Sequence, residues 1–304
     1  MTVEKNILVT GATGFLGRWV CRSFPENSNI TAISRSKEGR ESDISFLKAD
    51  ITDYNTFSRI GGTYDYCLHL AAIPDVQLCE TKPLLAYDIN FNGTVNTLRF
   101  CRDRGIKKII IASTTKVYGI QKNSPIEEGA GFYPYNYYGL TKALAETYAM
   151  NFSEETGMHL LIARIANIYG PDDSSESRLV PNTILSLLNG KQPIVFGDGT
   201  ARRVFIYVKD AASFLLAALE NDNMKGVYNV GTKDSERIID VVEKLIMISG
   251  IEIEPFFVAN DKRQNELEVS IGKALKTGWK PIYTFDRGLK ETFEWYKERY
   301  GVMY

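Results

Sequence analysis

Tyr138 and Lys142 stand four residues apart in Tyr138-Gly-Leu-Thr-Lys142. In a helix that spacing is about one turn, so phenol and ammonium share a face. A free phenol, with a pKa of about 10, is a poor base near neutrality, but an adjacent ammonium favours the phenolate and makes the tyrosine a usable acid/base on an alcohol oxygen. Tyr-x-x-x-Lys is also common by chance, and the preceding run Phe132-Tyr-Pro-Tyr-Asn-Tyr-Tyr138 reads equally as an aromatic packing segment. A second group of residues suggests what such a pair would work beside. Gly11-Ala-Thr-Gly14-Phe-Leu-Gly17 places glycines at i, i+3 and i+6 between a strand-like run and a helical one. Glycines there permit a tight turn, backbone approach to a pyrophosphate and close helix–strand packing, while the helix N-terminus offers N–H donors. The end of the next strand then selects the dinucleotide. A carboxylate would bind the ribose 2′-hydroxyl and repel a 2′-phosphate, whereas this chain has Ile33-Ser34-Arg35-Ser36-Lys37. That favours NADP(H), with NAD(H) as the alternative, although Arg35 also reads as a solvated loop residue. Asp50-Ile51, after the third strand, is positioned either to meet the adenine or to cap its own loop. With a nicotinamide ring beside it, the tyrosine would move a proton on oxygen while hydride moves on carbon.

These residues need a scaffold that delivers them to one edge. Apolar runs at Asn6–Thr10, Ile30–Ser34, Ser45–Ala49, Tyr66–Ala71, Lys108–Ala112 and Leu160–Ile168 are mostly separated by helix-length segments. Runs that are apolar throughout suggest strands buried on both faces, and strand–helix alternation predicts an α/β, doubly wound parallel sheet, the Rossmann fold. Ser113, Thr114 and Thr115 follow the Lys108 strand and so place hydroxyls at the carboxyl edge, where such sheets bind ligands. The first helix is expected over Phe15–Phe24 and the Tyr138 helix to about Asn151. Later come a Pro/Asp/Ser loop at 171–177, a helix after Pro181, a turn at 197–200, a helix over Val208–Leu219, a strand at Val227–Val230 and a helix over Ser235–Ile248. Leu289, Phe293, Tyr296 and Tyr300 mark the buried face of a last helix. We expect a dinucleotide-binding domain over 1–168, with 203–230 returning to it, and a smaller C-terminal substrate-binding α/β region over 169–304.

The 304 residues are 44% hydrophobic with a formal net charge of -1, which gives no field for nucleic acid. No apolar run reaches the roughly 18 to 20 residues of a spanning helix, and Met1–Thr10 lacks a signal-peptide layout, so a cytoplasmic protein is expected. Cys21, Cys67, Cys79 and Cys101 form no C-x-x-C pair, and only His69 and His159 could join them, which predicts reduced thiols and no metal site.

Six motifs occur in order: the glycine loop, His69-Leu-Ala-Ala72, Asn90-x-x-Gly93-Thr94, Ser113-Thr-x-x-Val-Tyr-Gly119, Tyr138-x-x-x-Lys142 and Asn167-x-Tyr-Gly-Pro171. Phe196-Gly-Asp-Gly-Thr-Ala-Arg-Arg203, Tyr228-Asn-Val-Gly231 and Gly278-Trp-Lys-Pro281 continue the series. Together they resemble the extended short-chain dehydrogenase/reductases that act on nucleotide sugars as epimerases, dehydratases and reductases. The resemblance implies Thr114, with Ser113 as the adjacent alternative, as the hydroxyl on the reacting sugar oxygen, Tyr138 as acid/base and Lys142 as its partner on the nicotinamide ribose. It implies cofactor contacts from Gly11, Thr13, Gly14, Phe15, Leu16, Gly17, Ser34, Arg35, Asp50, Ile51, Leu70, Ala71, Ala72 and Asn90. Thr115 falls on the substrate side, Asn167 on the nucleotide diphosphate, and Arg203 and Arg263 clamp that diphosphate. His69 reads as structural or close to the cofactor. The chain departs from the dehydratases at Thr115-Lys116, where they carry Asp-Glu, and elimination needs an acid for the leaving hydroxyl and a base for the carbon-5 proton. That leaves an NADPH-dependent 4-keto reductase of a nucleoside-diphosphate 4-keto-6-deoxyhexose, an NAD-dependent 4-epimerase or, remotely, a non-catalytic NADP-binding regulator. The resemblance also implies a homodimer through the helices around Asn90–Arg104 and Tyr138–Phe152, with Val95, Leu98, Leu144 and Tyr148 as apolar positions.

Overall fold

Residues Ile7, Leu8, Val9 and Thr10 are all buried, as a strand covered on both faces requires. The computed structural model describes residues 5–26, 28–36, 39–41, 44–259 and 268–301. In chain order its strands are β1 (Asn6–Thr10), β2 (Asn29–Ser34), β3 (Gly39–Glu41), β4 (Ile44–Lys48), β5 (Tyr66–His69), β6 (Lys108–Thr114), β7 (His159–Ile165), β8 (Asn167–Tyr169), β9 (Ile194–Phe196), β10 (Arg202–Tyr207), β11 (Gly226–Val230), β12 (Ser235–Arg237) and β13 (Phe256–Val258). Its α-helices are α1 (Phe15–Ser23), α2 (Tyr54–Phe57), α3 (Val76–Thr81), α4 (Pro83–Tyr87), α5 (Gly93–Asp103), α6 (Tyr137–Thr156), α7 (Leu179–Leu188), α8 (Val208–Glu220), α9 (Ile238–Ser249), α10 (Gly272–Leu275) and α11 (Phe285–Tyr300).

The main sheet has the order β11-β7-β6-β5-β1-β2-β4-β3. Seven strands run parallel, and the short β3 pairs antiparallel with β4 at the edge. The chain winds outward from β1 through β2 and β4, then returns to the other side of β1 with β5, β6 and β7. The fold is therefore the doubly wound, Rossmann-like sheet expected, with its reversal of direction between β1 and β5. Alternate side chains feed two separate cores. Ile7 and Val9 pack with Val20 of α1 and Ala211 and Leu215 of α8, whereas Leu8 packs with Leu98 and Phe100 of α5 and Ala149 of α6. A third core lies in the C-terminal half, where Ile184, Phe205, Leu245, Leu289 and Phe293 meet.

Five expectations need correction. The apolar run Leu160–Ile168 is not one strand: β7 ends at Ile165, and β8 pairs instead with β10 in a three-stranded sheet completed by β12. The run stays apolar because the chain changes partners without leaving the interior. Ser235–Arg237 is that third strand, and the helix expected over Ser235–Ile248 starts at Ile238. Helix α7 begins before Pro181, which sits in its first turn, where a missing N–H breaks no intrahelical bond. Tyr300, at the end of α11, is 49% exposed, unlike Leu289, Phe293 and Tyr296. Helix α6 also runs five residues past Asn151.

Candidate active site

Between Thr10 and Phe15 the chain must turn from β1 into α1. Gly11 has φ +74, and a Cβ on it would lie 2.5 Å from the Ala71 amide nitrogen. Gly17 allows α1 to close on the same loop, since its Cβ would meet the Gly11 carbonyl at 2.1 Å. Gly14 is the N-cap of α1, with no side-chain cap and no acidic residue in the first turn, so the helix start is suited to an anion. A cleft of about 270 Å³ opens over this loop at the carboxyl ends of the central strands, bounded by Thr13, Ser34, Arg35, Asp50, Leu70 and Ala72, among others. Its residues fit a dinucleotide: a backbone cradle that a Cβ would fill, with a hydroxyl and a guanidinium at the far rim. Arg35 is exposed and Ser34 buried, with the Ser34 hydroxyl accepting from the Ser36 amide at 3.3 Å. Lys37 and Arg263 lie outside the described residues. Asp50 lines the cleft and also caps its own loop, its Oδ1 accepting from the Thr52 amide and hydroxyl at 2.9 and 2.8 Å.

Asn90 and His69 build the floor. Fully buried in a π-helical turn, Asp88–Asn92, Asn90 accepts from the Ile73 amide at 2.7 Å and donates to the Ile73 carbonyl and the Thr141 hydroxyl. Its amide is thus committed to tying the strand-end loop to α6. The His69 ring sits between the Thr10 and Thr94 hydroxyls at 2.7 and 3.0 Å. Burial, with Lys142 nearby, lowers its pKa to about 3, so it is neutral and structural.

Tyr138 lies in the first turn of α6, whose start is pinned by Asn136, accepting from the Gly139 amide, and by Glu80, accepting from the Tyr137 amide, both at 2.7 Å. Burial pushes the Tyr138 phenol up to about 12, opposed by the Arg178 guanidinium and by a hydrogen bond with Thr114. Lys142 is 2% exposed, and burial lowers it to about 8, opposed by the Glu146 carboxylate. Neighbouring strand residues point to opposite faces, and the two candidate hydroxyls separate accordingly. Thr114 meets Tyr138, while the Ser113 hydroxyl donates to Glu146 Oε1. Glu146 Oε2 accepts from Arg164 Nε and Nη2 at 2.9 and 2.7 Å, and the guanidinium stands over the rings of Tyr118 and Phe132. Thr115 opens the single 3₁₀ turn that follows Thr114.

On the C-terminal side, Asn167 of β8 donates to the Val204 carbonyl at 2.8 Å, which places it against the strand that carries Arg203. Residues 171–178 form a strap toward the cleft. Arg18 holds it, donating to Asp172 Oδ2 and carbonyl oxygen at 2.7 Å each and to the Thr13 carbonyl of the glycine loop at 2.6 Å. Trp19 Nε1 donates to the Pro171 carbonyl, and the Ser177 hydroxyl to Asp75. Arg178 pairs with the buried Asp173 at 3.0 Å and lies over Phe15. Sequence reasoning missed Glu146, Arg164 and Arg178. Only Glu146 left a signal, by repeating the four-residue spacing of Tyr138 and Lys142.

The sequence pattern of the NAD dependent epimerase/dehydratase family matches residues 7–231. The chain belongs to this family. A putative UDP-glucose 4-epimerase of Methanocaldococcus jannaschii is 30% identical to this family member, over 96% of this chain and 98% of the relative. The crystal structure of a UDP-glucose 4-epimerase from Thermotoga maritima with UDP-glucose superposes with a TM-score of 0.90 at 30% identity, covering 97% and 99% of the two chains. A Thermus thermophilus UDP-glucose 4-epimerase in complex with NAD gives 0.88 at 25% identity, over 98% and 100%. The family's nicotinamide chemistry fits the cleft, and its extended short-chain dehydrogenase/reductase architecture fits the sheet. Among the described residues no helix is long and apolar enough to cross a membrane, and no cluster of histidine, cysteine or acidic residues could hold a metal.

Proposed function

We propose that this protein is an NADPH-dependent 4-keto reductase of a nucleoside-diphosphate 4-keto-6-deoxyhexose. The observation that carries the reading is the cleft rim, where Ser34 and Arg35 occupy the place of a carboxylate that would favour NAD. The glycine loop, Ser34 and Arg35 would hold the dinucleotide, which when bound supplies the hydride to carbon-4. Tyr138 gives its phenolic proton to the oxygen that gains charge as the carbonyl becomes an alcohol. Thr114 hydrogen-bonds the same oxygen, and the Lys142 ammonium stabilises the phenolate that remains. Asn167, Arg203 and Arg263 would face the diphosphate, whose oxygens suit guanidinium forks. Thr115 and Lys116, in place of two carboxylates, leave no acid there for a departing hydroxyl, which argues against dehydration.

A second reading, an NAD-dependent 4-epimerase, is favoured by the names of the relatives and by the NAD bound in one of them. The deciding experiment is to denature purified protein, identify any released nucleotide by mass, and titrate untreated protein with NADPH and NADH. Tight copurified NAD together with interconversion of UDP-glucose and UDP-galactose would establish the epimerase. A site that binds NADPH in preference, with NADPH consumed on a 4-keto-6-deoxy nucleotide sugar, would establish the reductase. Arg35→Asp should then weaken NADPH more than NADH, and an unchanged ratio would remove the 2′-phosphate argument.

The working form we propose is a cytoplasmic homodimer. Its four buried free cysteines suit a reducing compartment. Leu84, Leu85 and Tyr87 of α4 and Leu140 and Leu144 of the adjoining α6 are exposed apolar residues suited to a second copy. Of the positions expected there, Leu98 is fully buried in the chain's own core and takes no part.

A further inference from the structure

Tyr138, Lys142 and Glu146 follow one another at single turns of α6 and share one face of the helix. Glu146 is fully buried, and an isolated buried carboxylate is strongly disfavoured unless it is paired. Arg164 provides the pairing, closing on Oε2 with two nitrogens. Its third nitrogen donates to the Glu128 carbonyl at 2.9 Å, and its plane is held over Tyr118 and Phe132. Ser113 donates to the other carboxylate oxygen. Two strands, β6 and β7, therefore converge on a carboxylate of α6 one turn from the ammonium of the candidate site.

We propose that Glu146 is a positioning residue: fixed by Arg164 and Ser113, its carboxylate holds negative charge one turn of α6 from the Lys142 ammonium and on the same face. This rests on the reading of Tyr138 and Lys142 as the proton-handling pair. The groups around the buried lysine and carboxylate give the direction of the effect. From β5 comes His69, neutral between its two threonines; from β6, Ser113 and Thr114; from β7, the Arg164 cation; and from the turn after β6, Tyr118, whose hydroxyl donates to Asn229. The Glu128 carboxylate is engaged with the Asn229 amide. Burial favours the neutral amine at Lys142, and Glu146 supplies the negative charge that opposes it.

The test needs neither cofactor nor substrate. In full-length protein carrying ¹³C-labelled lysine, the Lys142 resonance is assigned by its loss in Lys142→Met and titrated with pH. The wild-type midpoint is expected near 8. Glu146→Gln should lower it by about one unit, a tenfold loss of proton affinity. Because Glu146→Gln strands Arg164 and can unfold the chain, Glu146→Gln/Arg164→Gln is measured beside it. Arg164→Gln alone is the reference for the double variant, because losing the guanidinium by itself raises the lysine midpoint. A midpoint lower in the double variant than in Arg164→Gln, and recovered by Glu146→Asp, supports the role, and a midpoint equal in those two variants overturns it. Turnover would show a matching shift of the alkaline limb of kcat, and an unshifted limb in a folded, active variant also overturns the role. A lysine that titrates as expected in a protein that binds neither NADPH nor NADH would leave the role of Glu146 intact and sink the proposed function instead.

Discussion

Tyr138 shows how a single side chain is made to depend on its surroundings. Burial, opposed by Arg178 and Thr114, leaves its phenol at about 12, so near neutrality it carries the proton that the proposed reduction requires it to give. Tyr138→Phe keeps the ring and removes the proton. Turnover should fall about 10²- to 10⁴-fold with NADPH affinity nearly unchanged, as read by steady-state kinetics alongside fluorescence titration; turnover within a few-fold of wild type would refute the assigned role. His69 makes a different prediction. Its folded pKa of about 3 lies below that of a free histidine, so as the pH drops through about 6.5 the unfolded chain takes up a proton that the folded chain refuses. Stability from this group is full above that pH and declines toward pH 3. Between pH 7 and about pH 4.5, wild type should lose about 2–3 kcal/mol more than His69→Gln, measured from urea transitions at the two pH values. Equal losses would mean that the ring is charged when folded.

At the scale of elements, the close approach of α1 to the glycine loop is the most exacting contact. A methyl at Gly17 would strike the Gly11 carbonyl, which is backbone and must shift. Gly17→Ala should therefore lose about 1–3 kcal/mol in thermal or urea unfolding and weaken NADPH at least about tenfold, whereas Gly129→Ala, whose added carbon meets open space, should behave as wild type. Arg164→Met, which leaves Glu146 buried and unpaired, should lose about 3–5 kcal/mol in the same unfolding experiment. Parallel strands buried on both faces are easy to read, because their runs are apolar without alternation, and β1 spans the residues expected of it. The glycine loop and the Tyr138–Lys142 spacing are legible for a related reason: local geometry restricts the residue types. The break at Ala166 was not, since a strand that moves from one buried sheet to another keeps the same kind of side chain. Asn90 and Ser113 were assigned to ligands from their motifs. Their hydrogen-bond partners, Ile73 and Glu146, come from other elements that no local pattern could name. Arg178 was invisible for the same reason, being brought over Phe15 by the strap.

For the whole molecule, the winding of the sheet explains why one edge can serve both ligands. β1, β2, β4 and β5 end at the dinucleotide cleft, and β6 ends at Thr114. The exposed leucines of α4 and α6 would form the seam of the proposed dimer, so Leu144→Glu should convert a dimeric wild type to a monomer by light scattering without lowering the melting temperature by more than a few degrees; a variant as dimeric as wild type would place the interface elsewhere. The Arg18 guanidinium links regions of the chain more than 150 residues apart, gripping the Thr13 carbonyl in the glycine loop and Asp172 in the strap. Anything that stiffens the loop must then stiffen the strap, and the two ligands cease to be independent arrivals. The expected consequence is a preferred order of addition: nucleotide first, sugar second, with product inhibition patterns to match. Amide exchange in residues 171–178 should slow when NADPH alone is present.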